Sequence, residues 1–578
     1  MFCVRTLKGN AVNSSTALEK KGIRNWLISL AINIALIAAV FAVSELTYET
    51  NDDIAISAEI ASGYPYVGFV SVYLCRALIA IQNIFPGANI FVYAQLVMSF
   101  IAFTVIIRII LERQESVLVT VLAILVTAYF SLDHYGCLQF TKTSALLMTA
   151  GLLWVTDAYL YERKVFYFIC AFALYFTGVA FRQKGMFPAI AYSAVFMAIW
   201  WLTNRKEFFK DRKLLPEAGL VLLIIVMMIV PYGIDKASDA ANASTPELRA
   251  GRLYQQERTQ LTDYPFLKYT DQNMHEYEAA GFDENDLSLI DRWFFDYDGV
   301  ASYENLKTIN EINAPYVKAD KSVFKAFKRA VKYSLESVVA RDMNGWHIIF
   351  VLLIAVYLLA ERRPGAWLYV LGAGALTIAL YTVVYYMSRV QYRAIYVPDV
   401  NAVFWLLYCA ATGRRAEKKT AGNIVLAVTI AAVLISFPAS LRTINGMYDY
   451  NSTLIESPEV TAYLEDNPDN FYIIPTVIAG QPQSYLTPLK TPVFPDNAAD
   501  TGGWDTMTPY RLKHLRAHGI ENPVKDLINN PGVYFLGDFK VKGLTQYFNK
   551  WYCRKGEKAE FIRVDEAGGL GVYQVVIR

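Results

Sequence analysis

The feature that most constrains this chain is a series of eleven apolar runs, each near the roughly 20 residues that a helix needs to cross the hydrocarbon core of a bilayer. They fall at Trp26–Ser44, Phe91–Leu111, Val117–Leu132, Ser144–Leu160, Val165–Ala180 and Met186–Leu202. Five more follow at Leu215–Ile234, Trp346–Ala360, Ala366–Met387, Ala394–Ala411 and Ile424–Leu441. Such runs can satisfy their backbone polar groups in lipid only as helices. Composition agrees, with 55% hydrophobic and 18% charged residues, below the roughly 25% charged that is usual in soluble domains. The first run is too long for the core of a signal peptide and no clear small-x-small cleavage site follows it, so it reads as an uncleaved signal anchor.

The connections between runs alternate in charge. One set carries Lys20, Lys21 and Arg24, then Arg108 and Arg113, then Arg163 and Lys164. It continues with Arg205 to Lys213, Arg362 and Arg363, and Arg414 to Lys419. All fall on every second connection, which the positive-inside rule places in the cytoplasm. Residues 1–24 are then a cytoplasmic N-terminus, 25–441 a transmembrane bundle and 442–578 an extracytoplasmic domain of a plasma-membrane protein of bacterial type. Tyr66–Phe85 is also apolar, but counting it as a span would put Arg205–Lys213 outside. With Arg76 at its centre and Phe85-Pro86-Gly87 at its end, it is expected on the outer membrane surface or re-entrant, with Arg76 snorkelling to water.

Two external regions are too long to be connectors. Residues 235–345 carry helical patterns such as Ala240–Gln260 and Ser322–Val339, suited to capping the bundle. Residues 442–578 alternate strand-like runs (Phe471–Pro475, Val533–Leu536, Gly571–Ile577) with helical ones (Pro458–Leu464, Pro509–His518, Asn522–Ile528). The fold class is therefore an α-helical polytopic membrane protein with an external α/β C-terminal domain.

Several function classes fall away. A net charge of +2 without a basic stripe gives no reason to invoke nucleic acid. There is no CxxC, P-loop, HExxH or GxSxG. Gly372-Ala373-Gly374 sits inside a span, where it means close helix packing. Cys75, Cys170 and Cys409 fall in apolar stretches and Cys3 near the start, leaving Cys137 and Cys553 as the plausible external pair. His134 beside Asp133 is the one histidine worth attention.

The chemistry-bearing residues gather outside. Asn51-Asp52-Asp53 follows the first span closely, with Glu45, Glu49 and Glu59 nearby. Its plain reading is a cap for a helix starting near Ile54. Arg182 and Lys184 end the fifth span, and Arg389 and Arg393 occupy the short connection before the tenth, against the inside preference for cations. With Lys142 they are candidates for a cradle around a lipid phosphate, because guanidinium groups grip phosphate oxygens in fork geometry. Their plain reading is snorkelling to bulk head groups. Asp399, near the outer end of the tenth span, either joins the same site or pairs with one of the arginines. Asp157 lies toward the inner end of the fourth span, and neither acid is at mid-membrane, where ion-coupled transporters place them.

An acidic motif just after the first span, a surface helix next, many further spans and an external C-terminal domain together resemble the GT-C superfamily of membrane glycosyltransferases. The Asn51-Asp52-Asp53 stretch looks most like that of GtrII-like and related uncharacterised bacterial members. The resemblance covers the architecture of the whole chain but rests on one short motif. It implies an inverting glycosyltransferase that moves a sugar from a polyprenyl-phosphate donor to a cell-envelope glycan or lipid acceptor. Asp52 or Asp53 would be the catalytic base, and Arg182, Lys184, Arg389, Arg393 and Lys142 would sit near the donor phosphate. Transfer from a phosphate-linked sugar needs one carboxylate to take the acceptor's proton and positive charge where the phosphate departs. That charge could come from these cations or from a divalent metal, Mg or Mn, held by Asp52 and Asp53. On this reading Asp52, Asp53, Arg182, Lys184, Arg389 and Arg393 converge on one cavity. The alternatives are a transporter or flippase for lipid-linked saccharides and a non-enzymatic envelope assembly protein.

Overall fold

A computed structural model of the protein describes residues 11–114, 116–162, 164–208, 214–264, 269–363, 365–412, 420–452, 458–475, 484–488, 496–537 and 541–578. Cys3 and all or part of the basic connections 205–213 and 414–419 lie outside the described residues.

The first half of the bundle runs α1 (Ala11–Val43), β1 (Thr47–Tyr48), α2 (Asp52–Ala61), α3 (Val72–Gln82), α4 (Ile90–Arg113), α5 (Val117–Gly136), β2 (Cys137–Leu138), α6 (Phe140–Asp157), α7 (Val165–Phe181), α8 (Met186–Phe208) and α9 (Leu214–Ala241). An insertion between bundle helices follows, with α10 (Pro246–Thr262), α11 (Met274–Ala279), α12 (Glu284–Asp291), α13 (Tyr303–Asp320) and α14 (Val323–Ala340). The chain re-enters the bundle as α15 (Met343–Ala360), α16 (Ala366–Tyr386), α17 (Tyr392–Thr412) and α18 (Thr420–Ser452).

Among the described residues eight helices are long and apolar enough to cross a membrane, lying in α1, α4, α5, α8, α15, α16, α17 and α18. The chain is thus built as a polytopic membrane protein. The other three apolar runs of the sequence form α6, α7 and α9. Helix α7 is apolar but has only 17 residues. Helix α6 is the hub of the bundle, with every residue except Thr141 buried. It packs so closely on α7 that a Cβ at Gly151 would lie 2.8 Å from the Tyr175 nitrogen, and one at Gly178 would lie 2.9 Å from the Ser144 carbonyl. Small residues permit this approach of two backbones.

The Tyr66–Phe85 stretch is not a span. Its helix, α3, has 11 residues, about 16 Å at 1.5 Å per residue. Ser71 N donates to Ala180 O at 2.9 Å and Val72 N to Ser238 Oγ at 3.0 Å, which pins its start against the ends of α7 and α9. Arg76 is exposed.

The C-terminal region contains α19 (Pro458–Asp466), β3 (Phe471–Ile474), β4 (Ala498–Asp500), α20 (Pro509–Ala517), α21 (Pro523–Asn529), β5 (Val533–Leu536), α22 (Val541–Trp551), β6 (Ala559–Ala567) and β7 (Leu570–Ile577). The strands form one sheet in the order β4-β3-β5-β7-β6, with β3 parallel to β4 and β5, and β7 antiparallel to β5 and β6. The three strand runs and three helical runs read from the sequence appear as β3, β5, β7, α19, α20 and α21. Strand β4 is too short, and β6 too charged on its exposed face, to announce themselves.

The sequence treats residues 235–345 and 442–578 as separate folding units, whereas their apolar side chains enter one core. Tyr254, Leu261, Ile290 and Phe294 pack with Phe471, Val533, Phe535 and Val575. Buried Asp296 joins the two, accepting from Tyr547 Oη at 2.7 Å and Asn522 Nδ2 at 3.0 Å. The expected Cys137–Cys553 pair is also corrected. Both thiols are free, because Cys137 is buried in β2 beside Met447 while Cys553 follows α22 in the sheet domain.

Candidate functional site

The loop after α1 is held by a two-residue parallel pairing of β1 with β2, clamped by Asn451 Nδ2, which donates to Thr47 Oγ1 at 2.7 Å and Tyr48 O at 2.9 Å. Helix α2 starts directly after it. Asn51 makes no side-chain cap bond, so capping does not account for the Asn51-Asp52-Asp53 motif; both carboxylates lie in the first turn, where the helix dipole favours negative charge.

The two aspartates part ways there, as neighbours in a helix must. Asp53 is fully buried, and its Oδ1 accepts from Gln95 Nε2 at 2.9 Å and Phe140 N at 3.0 Å. It ties α2 to α4 and α6, and burial holds its carboxyl well above the usual range. Asp52, about 100° round the helix, faces a cavity of about 610 Å³ between the bundle and the sheet domain. Ala55 and Glu59, at helical spacing from it, line the same wall.

Arg182, Arg389 and Arg393 line this cavity too. Arg393 Nη2 lies 3.3 Å from Asp52 Oδ2. Arg389 Nη2 lies 3.2 Å from Asp263 Oδ2, and Asp263 also meets Arg258 at 3.4 Å. Arg182 follows α7, where Ser144 Oγ donates to its carbonyl at 3.1 Å. Its guanidinium sits 5.1 Å from the Phe69 ring centroid and 5.5 Å from that of Phe140, and pairs with no carboxylate among the described residues. Burial, with Arg389 next in weight, pushes its pKa down to about 10. This end of the cavity therefore carries more cations than carboxylates.

The remaining candidates stand elsewhere. Lys184 is exposed and does not line the cavity. Lys142 is fully buried, with Nζ 2.9 Å from Asp133 Oδ1 and 3.2 Å from Glu49 Oε2, so it neither snorkels nor faces the site. Asp399 joins neither the site nor an arginine: its carboxylate meets His347 Nδ1 at 3.2 Å and accepts from Tyr381 Oη. His134 is buried against Tyr396.

A shared metal does not fit the aspartate pair. Asp53 accepts from Gln95 and the Phe140 nitrogen through Oδ1, its Oδ2 is buried without a hydrogen bond, and neither oxygen lines the cavity where Asp52 meets Arg393. Among the described residues, Glu112, Asp157 and Glu162 come within mutual metal-binding reach. Arg113 neutralises that cluster from 2.6 Å at Asp157 and 3.2 Å at Glu162, and Arg108 pairs with Glu112 and Glu162.

The far wall comes from residues that sequence reading did not assign. Strand β4 ends in Asp500, the loop after it supplies Trp504 and Asp505, and α20 supplies Tyr510 and Arg511. Arg511 pairs with Asp500 and lies 3.4 Å from Asp505. Trp504 packs on Phe69 with centroids 5.5 Å apart, and Tyr510 on Tyr64 at 5.7 Å. Glu59 is 2% exposed with neither carboxyl oxygen hydrogen-bonded, and burial, reinforced by Asp505, keeps it well above the carboxylate range. The parallel β4–β3–β5 edge, with a cavity-lining loop at the carboxyl end of β4, is the signal available in principle, but β4 has only three residues.

No protein-family model, no curated protein and no solved structure matches this chain.

Proposed function

We propose that the protein is an inverting glycosyltransferase that moves a sugar from a polyprenyl-phosphate donor to an envelope glycan or lipid acceptor on the outer face of the plasma membrane, with the C-terminal domain outside and the N-terminus inside. The observation that carries this reading is the meeting of Asp52 with Arg182, Arg389 and Arg393 on one cavity at the end of the bundle. In the reaction, Asp52 takes the proton of the acceptor hydroxyl as its oxygen bonds to the anomeric carbon. The bond from that carbon to the phosphate oxygen breaks, and polyprenyl phosphate leaves as an anion facing Arg182 and Arg389. A second cavity of about 360 Å³ shares Phe69 with the first; Leu74, Phe176, Val179 and Pro231 give it an apolar wall for an isoprenoid tail, and Asp235 and Asp239 also line it.

The test is transfer of radiolabelled sugar from polyprenyl-phosphate donors to envelope acceptors by the purified protein in lipid. Asp52→Asn should abolish transfer while the protein remains folded. Undiminished turnover in that variant would remove Asp52 as the base.

A further inference from the structure

Helix α14 presents three different faces. Ala326, Ala330 and Ser337 are buried, Ala330 against Tyr381 of α16 and Ile395 of α17. A second face is apolar and uncovered: Phe324 is 64% exposed, Phe327 44%, Leu335 65% and Val339 83%. An apolar stripe of this kind on a helix with a basic polar face suits the boundary between head groups and acyl chains. The third face carries Lys325 and Arg329, one turn apart, and turns to a cavity of about 900 Å³.

That cavity is distinct in charge from the candidate site. Lys318 and Lys321, at the end of α13, complete a set of four cations around it, and no carboxylate lines it among the described residues. Arg329 and Lys318 have no ion-pair partner among the described residues, and Lys321 Nζ stands 5.9 Å from the Tyr386 ring. The wall opposite is Tyr385-Tyr386-Met387, the end of the spanning helix α16, so the cavity opens where head-group phosphates lie. Tyr264 separates it from the candidate site, with Arg389 5.6 Å from its ring on the other side.

We propose that this cavity binds the phosphate of an anionic phospholipid, with the apolar stripe of α14 seated in the same leaflet. Arg329, Lys318 and Lys321 around a cavity with no lining carboxylate among the described residues call for an anion, and the adjoining uncovered stripe calls for acyl chains; basic pockets beside spanning helices take lipid head groups on this principle. The proposal does not depend on the transfer reaction.

Full-length protein in detergent, titrated with dihexanoyl phosphatidylglycerol and followed by native mass spectrometry, tests it. Saturable binding is expected, with dihexanoyl phosphatidylcholine at least about tenfold weaker, and Arg329→Gln combined with Lys318→Gln should weaken the anionic lipid by about tenfold or more. Phe324→Ser combined with Leu335→Ser should weaken the lipid without altering any response to inorganic phosphate. No saturable binding of the anionic lipid, or equal binding by the charge variant, overturns the proposal. So does inorganic phosphate competing at the same concentration as the lipid while the stripe variant binds normally, since the site would then serve a water-soluble anion.

Discussion

Asp52 and Asp53 are adjacent in sequence yet serve different faces of α2: Asp52 stands 3.3 Å from Arg393 on the cavity wall, and Asp53 is buried with Gln95 and the Phe140 nitrogen. Asp52→Asn should lower sugar transfer by about 10²- to 10⁴-fold, the range for loss of a general base, with the melting temperature unchanged. Asp53→Ala should do the reverse in kind. It strips partners from two buried donors, at about 1–3 kcal/mol each, so it lowers the melting temperature and the yield of folded protein. Thermal unfolding and transfer measured on the same preparations separate the two, and loss of transfer without loss of stability in Asp53→Ala would reverse the assignment.

Neighbouring aspartates are a clear instance of where sequence stops being legible. The spacing of apolar runs and of basic connections exposed the helical bundle, because both follow from the thickness and electrostatics of a bilayer. The anomaly of arginines in short connections that the charge pattern assigns to the outside pointed to Arg182, Arg389 and Arg393, because each breaks a rule that sequence alone can check. Which of two consecutive carboxylates meets the cavity depends on where α4 and α6 pack, and no local pattern records that. Lys142 looked like its neighbours in the set for the same reason: its partners Glu49 and Asp133 lie far along the chain or across a turn. Asp263 and Arg511 reach the cavity only because residues 235–345 and 442–578 share one core, a long-range pairing that periodicity does not encode.

Arg182 and Arg389 differ in what already occupies them. Arg389 is held by Asp263 at 3.2 Å, while Arg182 stands by the Phe69 and Phe140 rings with no carboxylate ion pair among the described residues. Arg182→Met should therefore weaken binding of a short-chain prenyl phosphate by about tenfold or more, the scale of one charge-assisted pair. Asp263→Asn should leave that binding intact or tighten it, since it frees Arg389. Both are read by titration of the protein in nanodiscs, and equal affinity in Arg182→Met would exclude it from the anion site.

Glu59 carries a pH dependence. Burial, with Asp505 adding to it, raises its folded pKa well above the ordinary glutamate value. The fold thus prefers the protonated form, and its contribution to stability is complete below the unfolded pKa of about 4.3 and is lost as pH climbs toward the raised folded value. Glu59→Gln stays neutral throughout. Its melting temperature relative to wild type should rise between pH 5 and pH 8, and a difference that is flat across that range would mean that Glu59 is ionised in the fold.

Lys142 tests the opposite economy, that of a buried ion group with no role in chemistry. Its Nζ balances Asp133 at 2.9 Å and Glu49 at 3.2 Å at the top of α6, where all three side chains are at most 5% exposed. Lys142→Met removes the one cation and leaves two carboxylates facing each other in a dry interior, a loss of about 3–5 kcal/mol. The single variant should unfold at a markedly lower temperature. Adding Glu49→Gln and Asp133→Asn to it should recover much of the loss, because no uncompensated charge then remains buried. Transfer activity per folded molecule should be similar in the triple variant and the wild type. A stable Lys142→Met protein that has lost anion binding would instead return Lys142 to the phosphate cradle.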